Sequence, residues 1–242
     1  MGNTILREEL FKKVINKLRF GVGTLSEQRL ELIKCISSLK LKNPVFLEAG
    51  AADGGDTAVT ARLYPRSKIY AFEPVALNYK ELEARLKKSK NIKHYQLGLS
   101  DKTQQVEIFV SQAADGSNTL ALSSSILKPK EHLTIHKHVA FNKTEIIKTV
   151  NLDEWAQTNG VDKIDVMWLD MQGAEHMVLK AAPRILSTVR IIFTEVSYKQ
   201  MYEGAMLYPE LKAWLEQQGF RVYKQFEEEA GMGDVIFTRG SS

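Results

Sequence analysis

The chain has one cysteine, six prolines and five histidines in 242 residues, and its basic side chains exceed its acidic ones by only four. A lone thiol, Cys35, cannot form an internal disulfide and suits a reducing compartment, so a cytoplasmic protein is expected. No apolar run approaches the ~20 residues that span a bilayer. Charges break up the opening stretch "MGNTILREELFKKVINKLRF", which argues against a signal peptide. Leu6 stands where N-myristoylation needs Ser or Thr. The basic residues are scattered, and no run pairs aromatics with clustered arginines, which argues against nucleic acid as a partner. There is no internal repeat and no low-complexity tract. What remains is an ordinary globular composition, long enough to bury one substantial core, with the oligomeric state left open.

Leu6, Leu10, Phe11, Val14, Ile15 and Leu18 recur at helical spacing among lysines, which suits a helix packed on its own domain or one lying on a membrane surface. Thr24 and Glu27 have capping-box spacing ahead of a second helix that reaches about Leu39. Residues 1–42 therefore read as a helical extension and 43–240 as one α/β domain. In that domain short apolar strands alternate with helices: "VFLEAG", "KIYAFEP", "NIKHYQLGLSD", "IDVMWLD" and "VRIIFTEVS". This pattern predicts a mostly parallel sheet covered on both faces. "AEHMVLKAAPRIL" reads as one helix between the last two strands. Residues 103–150 interrupt the alternation with an insertion, strand-like at "QQVEIFVS" and "TEIIKTV". "RVYKQF" and "DVIFTR" close the chain as a hairpin.

The first strand ends in "LEAGAADGGDT". A strand, a glycine turn and a helix start can hold a dinucleotide pyrophosphate, with the turn spelled G-x-G-x-x-G. Here Gly50, Ala52 and Gly55 fall at those positions, so the middle glycine is missing, and Glu48 and Asp53 put negative charge where the pyrophosphate would lie. A ligand carrying a cation fits better. S-adenosylmethionine has one at its α-amino group and another at its sulfonium, and Glu48, Gly50 and Gly54 have the E-x-G-x-x-x-G spacing of enzymes that bind it. Glu73 ends the next strand, where an acid accepts the two hydroxyls of a ribose. Backbone amides of Leu99 and Ser100, with Asp101, offer an edge for adenine. Each acid alone could equally be a helix cap or a surface carboxylate. The full cofactor set is read as Glu48, Gly50, Ala51, Ala52, Asp53, Gly54, Thr57, Glu73, Pro74, Leu99, Ser100, Asp101 and Asp170.

The order "LEAGAADGGDT", "AFEP", "LGLSD", "LDEW", "IDVMWLDMQGAEHMVLKAA", "IIFTEV" and "GDVIFTR" resembles the FkbM family of S-adenosylmethionine-dependent methyltransferases over roughly residues 44 to 239. Its most specific piece is Asp170, Gly173, Ala174 and Glu175. The resemblance implies a Rossmann-like class I methyltransferase fold, a mostly parallel sheet with an antiparallel last strand, here with a β insertion between the third and fourth core strands. It also implies an O-methyltransferase acting on a sugar or small-metabolite hydroxyl. Trp168 and Gln172 depart from it, since family members commonly carry lysine and glutamate there.

Methyl transfer to a hydroxyl needs alignment and a destination for the hydroxyl proton. Asp170 and Glu195 end the fourth and fifth parallel strands and are the candidate catalytic acids, although Asp170 could also cap the following helix. Gln172 offers a neutral amide where a divalent ion would want another acid, so no metal is assigned. His132, His136 and His138 match no zinc spacing, and His136 is carried as a lid or base candidate. Tyr198, Tyr202 and Tyr208 suit either an acceptor wall or plain packing. Tyr64 and Lys68 have the Y-x-x-x-K spacing of short-chain reductases but precede the second strand, which removes a catalytic pair from the NAD(P) oxidoreductase alternative. A cofactor-binding or nucleic-acid-binding module without activity is the third reading.

Overall fold

The protein is described from a computed structural model covering residues 26–117, 120–227 and 230–240. The helix expected over residues 4–18 and Thr24 lie outside the described residues. Helix α1 (Glu27–Ser38) is capped by Ser26, whose hydroxyl accepts from the amide of Arg29.

Ten strands and seven further helices follow. These are β1 (Phe46–Ala49), α2 (Gly55–Leu63), β2 (Ile69–Phe72), α3 (Ala76–Leu86), β3 (Ile92–Tyr95), β4 (Gly98–Ser100), β5 (Gln104–Ala113), α4 (His132–Ile135) and β6 (Val139–Asn151). After them come α5 (Leu152–Thr158), β7 (Val166–Leu169), α6 (Glu175–Ala181), α7 (Pro183–Leu186), β8 (Ile191–Ser197), α8 (Tyr208–Gln217), β9 (Arg221–Glu227) and β10 (Met232–Thr238).

Seven strands form one sheet in the order β3-β2-β1-β7-β8-β10-β9. β1, β2, β3, β7 and β8 are parallel, and β10 runs antiparallel between β8 and β9. This is the arrangement that the resemblance implied, a mostly parallel sheet whose last strand runs antiparallel. The strand sequences explain it: β1 and β2 are buried at every position, as strands covered on both faces must be. One face packs Leu47, Met167, Ile192 and Phe237 under α5–α8, and the other packs Phe46, Val166, Phe193 and Ile236. Leu32, Cys35 and Ile36 of α1 belong to that second cluster, so α1 shares the core of the sheet. Burial first, and then Glu31, push the Cys35 thiol up to about 12, which leaves it a core residue rather than a nucleophile.

Two expected elements are divided. "NIKHYQLGLSD" is two strands: β3 joins the main sheet, whereas β4 leaves it to pair with β6 in a separate sheet of order β4-β6-β5. Gly98 permits the departure, because a side chain there would press on Ile147 and Thr149. "AEHMVLKAAPRIL" breaks into α6 and α7 at Pro183, which cannot donate to the ladder and holds Ala182 out of helical geometry. The chain leaves β1 toward β2 on one side and returns to β7 on the other. A crevice therefore opens at the carboxyl ends of β1 and β7, where ligands bind in such sheets.

Candidate active site

A cavity of ≈ 490 Å³ occupies that crevice, within the size range of small-molecule and cofactor sites. Its polar floor is the turn after β1. Gly50 has φ 82°, and a side chain on it would lie 1.8 Å from the carbonyl oxygen of Asp170, so only glycine lets β1 and β7 approach here. Gly54, at φ 73°, starts α2 against Leu82 and Leu86. Ala51, Ala52 and Asp53 line the cavity between them. Asp53 also caps Gly55 and pairs with Arg85.

Two buried acids face this space. Glu48 accepts a 2.8 Å bond from the hydroxyl of Thr57, which stands behind it rather than on the cavity wall. Burial pushes Glu48 up to about 8, against the Thr57 bond and the Arg29 charge and with help from Asp56 and Asp170. Glu73 accepts from the amides of Ala52 and Val75, each at 2.9 Å, and from the Asn78 side chain at 3.4 Å. Burial pushes it up to about 7 despite those donors. The donors leave Glu73 fixed in orientation, with acceptor capacity still available on a carboxylate of four lone-pair sites.

Asp170 stands exposed at the cavity rim. Gln172, two residues on, donates from one side-chain nitrogen to Asp170 Oδ1 and to Glu195 Oε2, both at 2.8 Å. Its amide oxygen faces the Tyr202 hydroxyl at 2.9 Å, and its backbone carbonyl accepts from Ser125 at 2.8 Å. Gln172 is buried with φ 55°, a conformation that side chains rarely adopt and that this ring of contacts maintains. Glu175 closes the turn, accepting from the amides of Met171 (2.7 Å) and Gly173 (3.3 Å), and burial pushes it up to about 7. Glu195 does not line the cavity, and Gln172 bridges it to Asp170.

The apolar half of the cavity comes from the inserted sheet and its loop. Leu99 of β4, Ile108 of β5 and Ile147 of β6 form the wall, and residues 120–122 and 124–126 the roof. Asn78 pins the roof by bonding both the amide (2.9 Å) and the carbonyl (3.2 Å) of Ala121. Pro74 lines the cavity beside Leu99, whereas Ser100 and Asp101 do not. The Ser100 hydroxyl donates to the Asp101 carboxylate, and the Asp101 backbone carbonyl accepts from Asn151.

His136 lies off the cavity, in a cluster with His132 and His138 beside Phe141 and Tyr202. Burial, then His136, lower His132 to about 4, so it stays neutral. Tyr202 is fully buried, and Tyr198 and Tyr208 share Gln225, so the tyrosines pack and brace. Tyr64 ends α2 against Phe46 and, like Lys68, lies off the cavity. Among the described residues no group of three His, Cys, Asp or Glu side chains is placed to hold a metal. No helix among them is long and apolar enough to cross a membrane.

Comparison with known proteins agrees with this geometry. The family profile "Methyltransferase FkbM domain" matches residues 48–222. The chain belongs to the FkbM methyltransferase family. It is 29% identical over 171 residues to the 2-O-methyltransferase NoeI of Sinorhizobium fredii, covering 71% of this chain and 70% of that protein. It is 25% identical over 204 residues to the methyltransferase sdnD of Sordaria araneosa, covering 77% of each. A solved rRNA methylase from Streptococcus thermophilus is 14% identical, with a TM-score of 0.49 over 90% of this chain and 100% of that one.

Trp168 and Gln172 stand where the resemblance implies lysine and glutamate. Trp168, paired with Glu48 across β1 and β7, stacks edge-on against Phe193 and lies 4.9 Å beneath the Arg29 guanidinium. Gln172 is a donor to two acids. Sequence reading missed Arg29 and Asn78. Both are polar residues inside helical patterns, and their partners lie 27 and 43 residues away.

Proposed function

We propose that this enzyme transfers a methyl group from S-adenosylmethionine to a hydroxyl of a small-molecule, carbohydrate-type acceptor. The observation that carries the reading is the pairing of two buried acids, Glu48 and Glu73, on one cavity with an exposed acid, Asp170, at its rim. The residues present fit the cofactor. Glu48 suits its cationic end, Glu73 its ribose hydroxyls, and Leu99, Ile108 and Ile147 its flat adenine. Gly50, Ala51 and Ala52 line the cavity with small residues, which suits the chain between them. NoeI, named as a 2-O-methyltransferase, supports a hydroxyl as the acceptor class.

When bound, the cofactor supplies an activated methyl carbon, and the protein's share is alignment and proton removal. The acceptor hydroxyl donates to Asp170, whose carboxylate takes the proton as the oxygen attacks. Gln172 fixes the Asp170 rotamer and holds Glu195 as a nearby acid that strengthens proton acceptance. Its amide stands between the two carboxylates, on the line a bridging ion would need, so a metal-independent route is favoured. Calorimetry tests the reading: S-adenosylhomocysteine should bind and NADP should not. Tight NADP binding without any S-adenosylhomocysteine signal would restore the oxidoreductase reading. Tritiated methyl incorporation across sugars, phenols, lipids and RNA then identifies the acceptor.

A further inference from the structure

Helix α1 precedes the residues that match the family, yet it sends one buried cation to the cofactor turn. Arg29 is 5% exposed. Its guanidinium donates to the Thr60 hydroxyl at 3.1 Å, to the Asp56 carbonyl at 3.4 Å and to the Asp56 carboxylate. The same group covers the Trp168 ring at 4.9 Å, within cation–π range. Asp56 and Trp168 both line the cavity, and Glu48 lies between them through Thr57 on α2 and its register with Trp168 on β1 and β7. The charged groups facing Glu48 are Arg29 from α1, Asp56 from α2 and Asp170 after β7, with Thr57 as hydrogen-bond donor. Arg29 is the one cation among them.

We infer that Arg29 is a positioning residue that makes α1 part of the catalytic unit: it holds Asp56 and Trp168 at the cavity wall and, as the cation beside Glu48, favours the ionised form that receives the cationic end of the cofactor. This rests on the proposed binding of S-adenosylmethionine, and it goes further in assigning a role to a segment outside the family-matched residues. A buried arginine that only packs α1 onto the sheet would affect stability and nothing else. A positioning arginine also sets the pH at which the cofactor binds.

The test is S-adenosylhomocysteine affinity from pH 6 to 9.5 in the full chain, with thermal unfolding alongside. In the parent protein affinity should rise with pH as Glu73 and then Glu48 ionise, and Glu48→Gln should remove the later part of the rise, near pH 8, while leaving the earlier part. Arg29→Gln withdraws the neighbouring cation, so Glu48 ionises later, the midpoint moves to higher pH and affinity at pH 7 falls about tenfold, a pH shift of about one. Arg29→Lys keeps the charge and should keep the midpoint. If Arg29→Gln lowers the melting temperature but leaves the midpoint in place, Arg29 is only a packing residue and the inference is wrong. If Arg29→Lys moves the midpoint as far as Arg29→Gln, charge is not the cause and the inference is equally wrong. Should Arg29→Gln fail to fold, Arg29→Met, which keeps an apolar stem in the buried site without the charge, decides. It withdraws the cation alone, so the midpoint must rise; an unmoved or lowered midpoint overturns the proposal. Absence of any S-adenosylhomocysteine binding by the parent protein would instead refute the underlying cofactor assignment.

Discussion

Gln172 donates a 2.8 Å hydrogen bond to Glu195 from a buried backbone position with φ 55°, and the same nitrogen holds Asp170. One neutral amide thus separates two carboxylates that would otherwise repel. The alternative orientation of the amide would aim its oxygen at both acids, so chemistry fixes this one.

Gln172→Glu should therefore turn a bridge into a three-acid cluster. Two charged acceptors lose their donor, costing about 1–3 kcal/mol at pH 8. The new acid has a folded pKa above its unfolded value near 4.3. Its penalty is absent below that value and grows as pH rises toward the folded pKa. Thermal unfolding should show a deficit at pH 8 that shrinks at pH 5 or on adding magnesium. A variant as stable as the parent at pH 8 without metal would show that the bridge contributes nothing.

The buried acids make a second forecast for the protein without ligand. Glu48, at about 8, and Glu73 and Glu175, each at about 7, all titrate above their unfolded values. Each draws stability down as pH rises from the unfolded value through the folded one. His132, lowered to about 4, does the reverse: its neutral burial costs stability below about 6.5 and nothing above. The two trends oppose each other between pH 4.5 and 6.5, and above that range the acids act alone. The melting temperature should fall from pH 6.5 to 8, and S-adenosylhomocysteine, by stabilising ionised Glu48 and Glu73, should flatten the fall. A melting temperature that climbs through this interval would refute the assignment of these acids.

The parts of this site that were legible in sequence are those encoded locally. Buried parallel strands announce themselves as apolar runs, and Glu48, Gly50 and Glu73 sit at fixed offsets from strand ends. The parts that were not legible depend on where separate segments meet. Gly98 ends one ladder and starts another because β6 arrives beside it from fifty residues on. Asp101 carries the right chemistry but lies off the cavity wall, its backbone carbonyl bonded by Asn151 from fifty residues on. Glu195 was expected to end its strand at the cavity, yet β8 runs on to Ser197 and Gln172 bridges Glu195 to Asp170 at the rim. No local pattern could have announced Arg29 or Asn78, because a buried polar residue on a helix has no signature until its partner is known.

The insertion lies over the cavity, so it should contribute to cofactor binding as well as to acceptor specificity. Ala121 is held by Asn78 through both backbone groups, and Asn78 also touches Glu73. Asn78→Ala cuts both tethers and one donor to a buried carboxylate. S-adenosylhomocysteine affinity should fall about tenfold, the equivalent of one to two net hydrogen bonds. Replacing residues 113–138 by a short glycine linker should weaken the cofactor at least as much, besides abolishing transfer. Cofactor affinity that survives the replacement would confine the insertion to acceptor recognition.

The last prediction isolates the proton acceptor. Asp170→Asn preserves the side-chain oxygen that accepts from Gln172, so the 2.8 Å tether and the turn through Glu175 should persist. The backbone carbonyl of Asp170 that shapes Gly50 is untouched by the change. Cofactor affinity should stay within about threefold, because an interaction worth less than roughly 0.7 kcal/mol would be lost. Turnover should fall by roughly two to four decades, the range for a positioned general base. Glu195→Gln, one residue removed from the acceptor, should cost less and leave the cofactor unaffected. If the two variants lose equal rate, Glu195 shares the proton rather than supporting Asp170. Parent activity that vanishes with EDTA and returns with magnesium would replace the metal-independent route. Asp170→Asn with the parent's rate would remove Asp170 from the chemistry altogether.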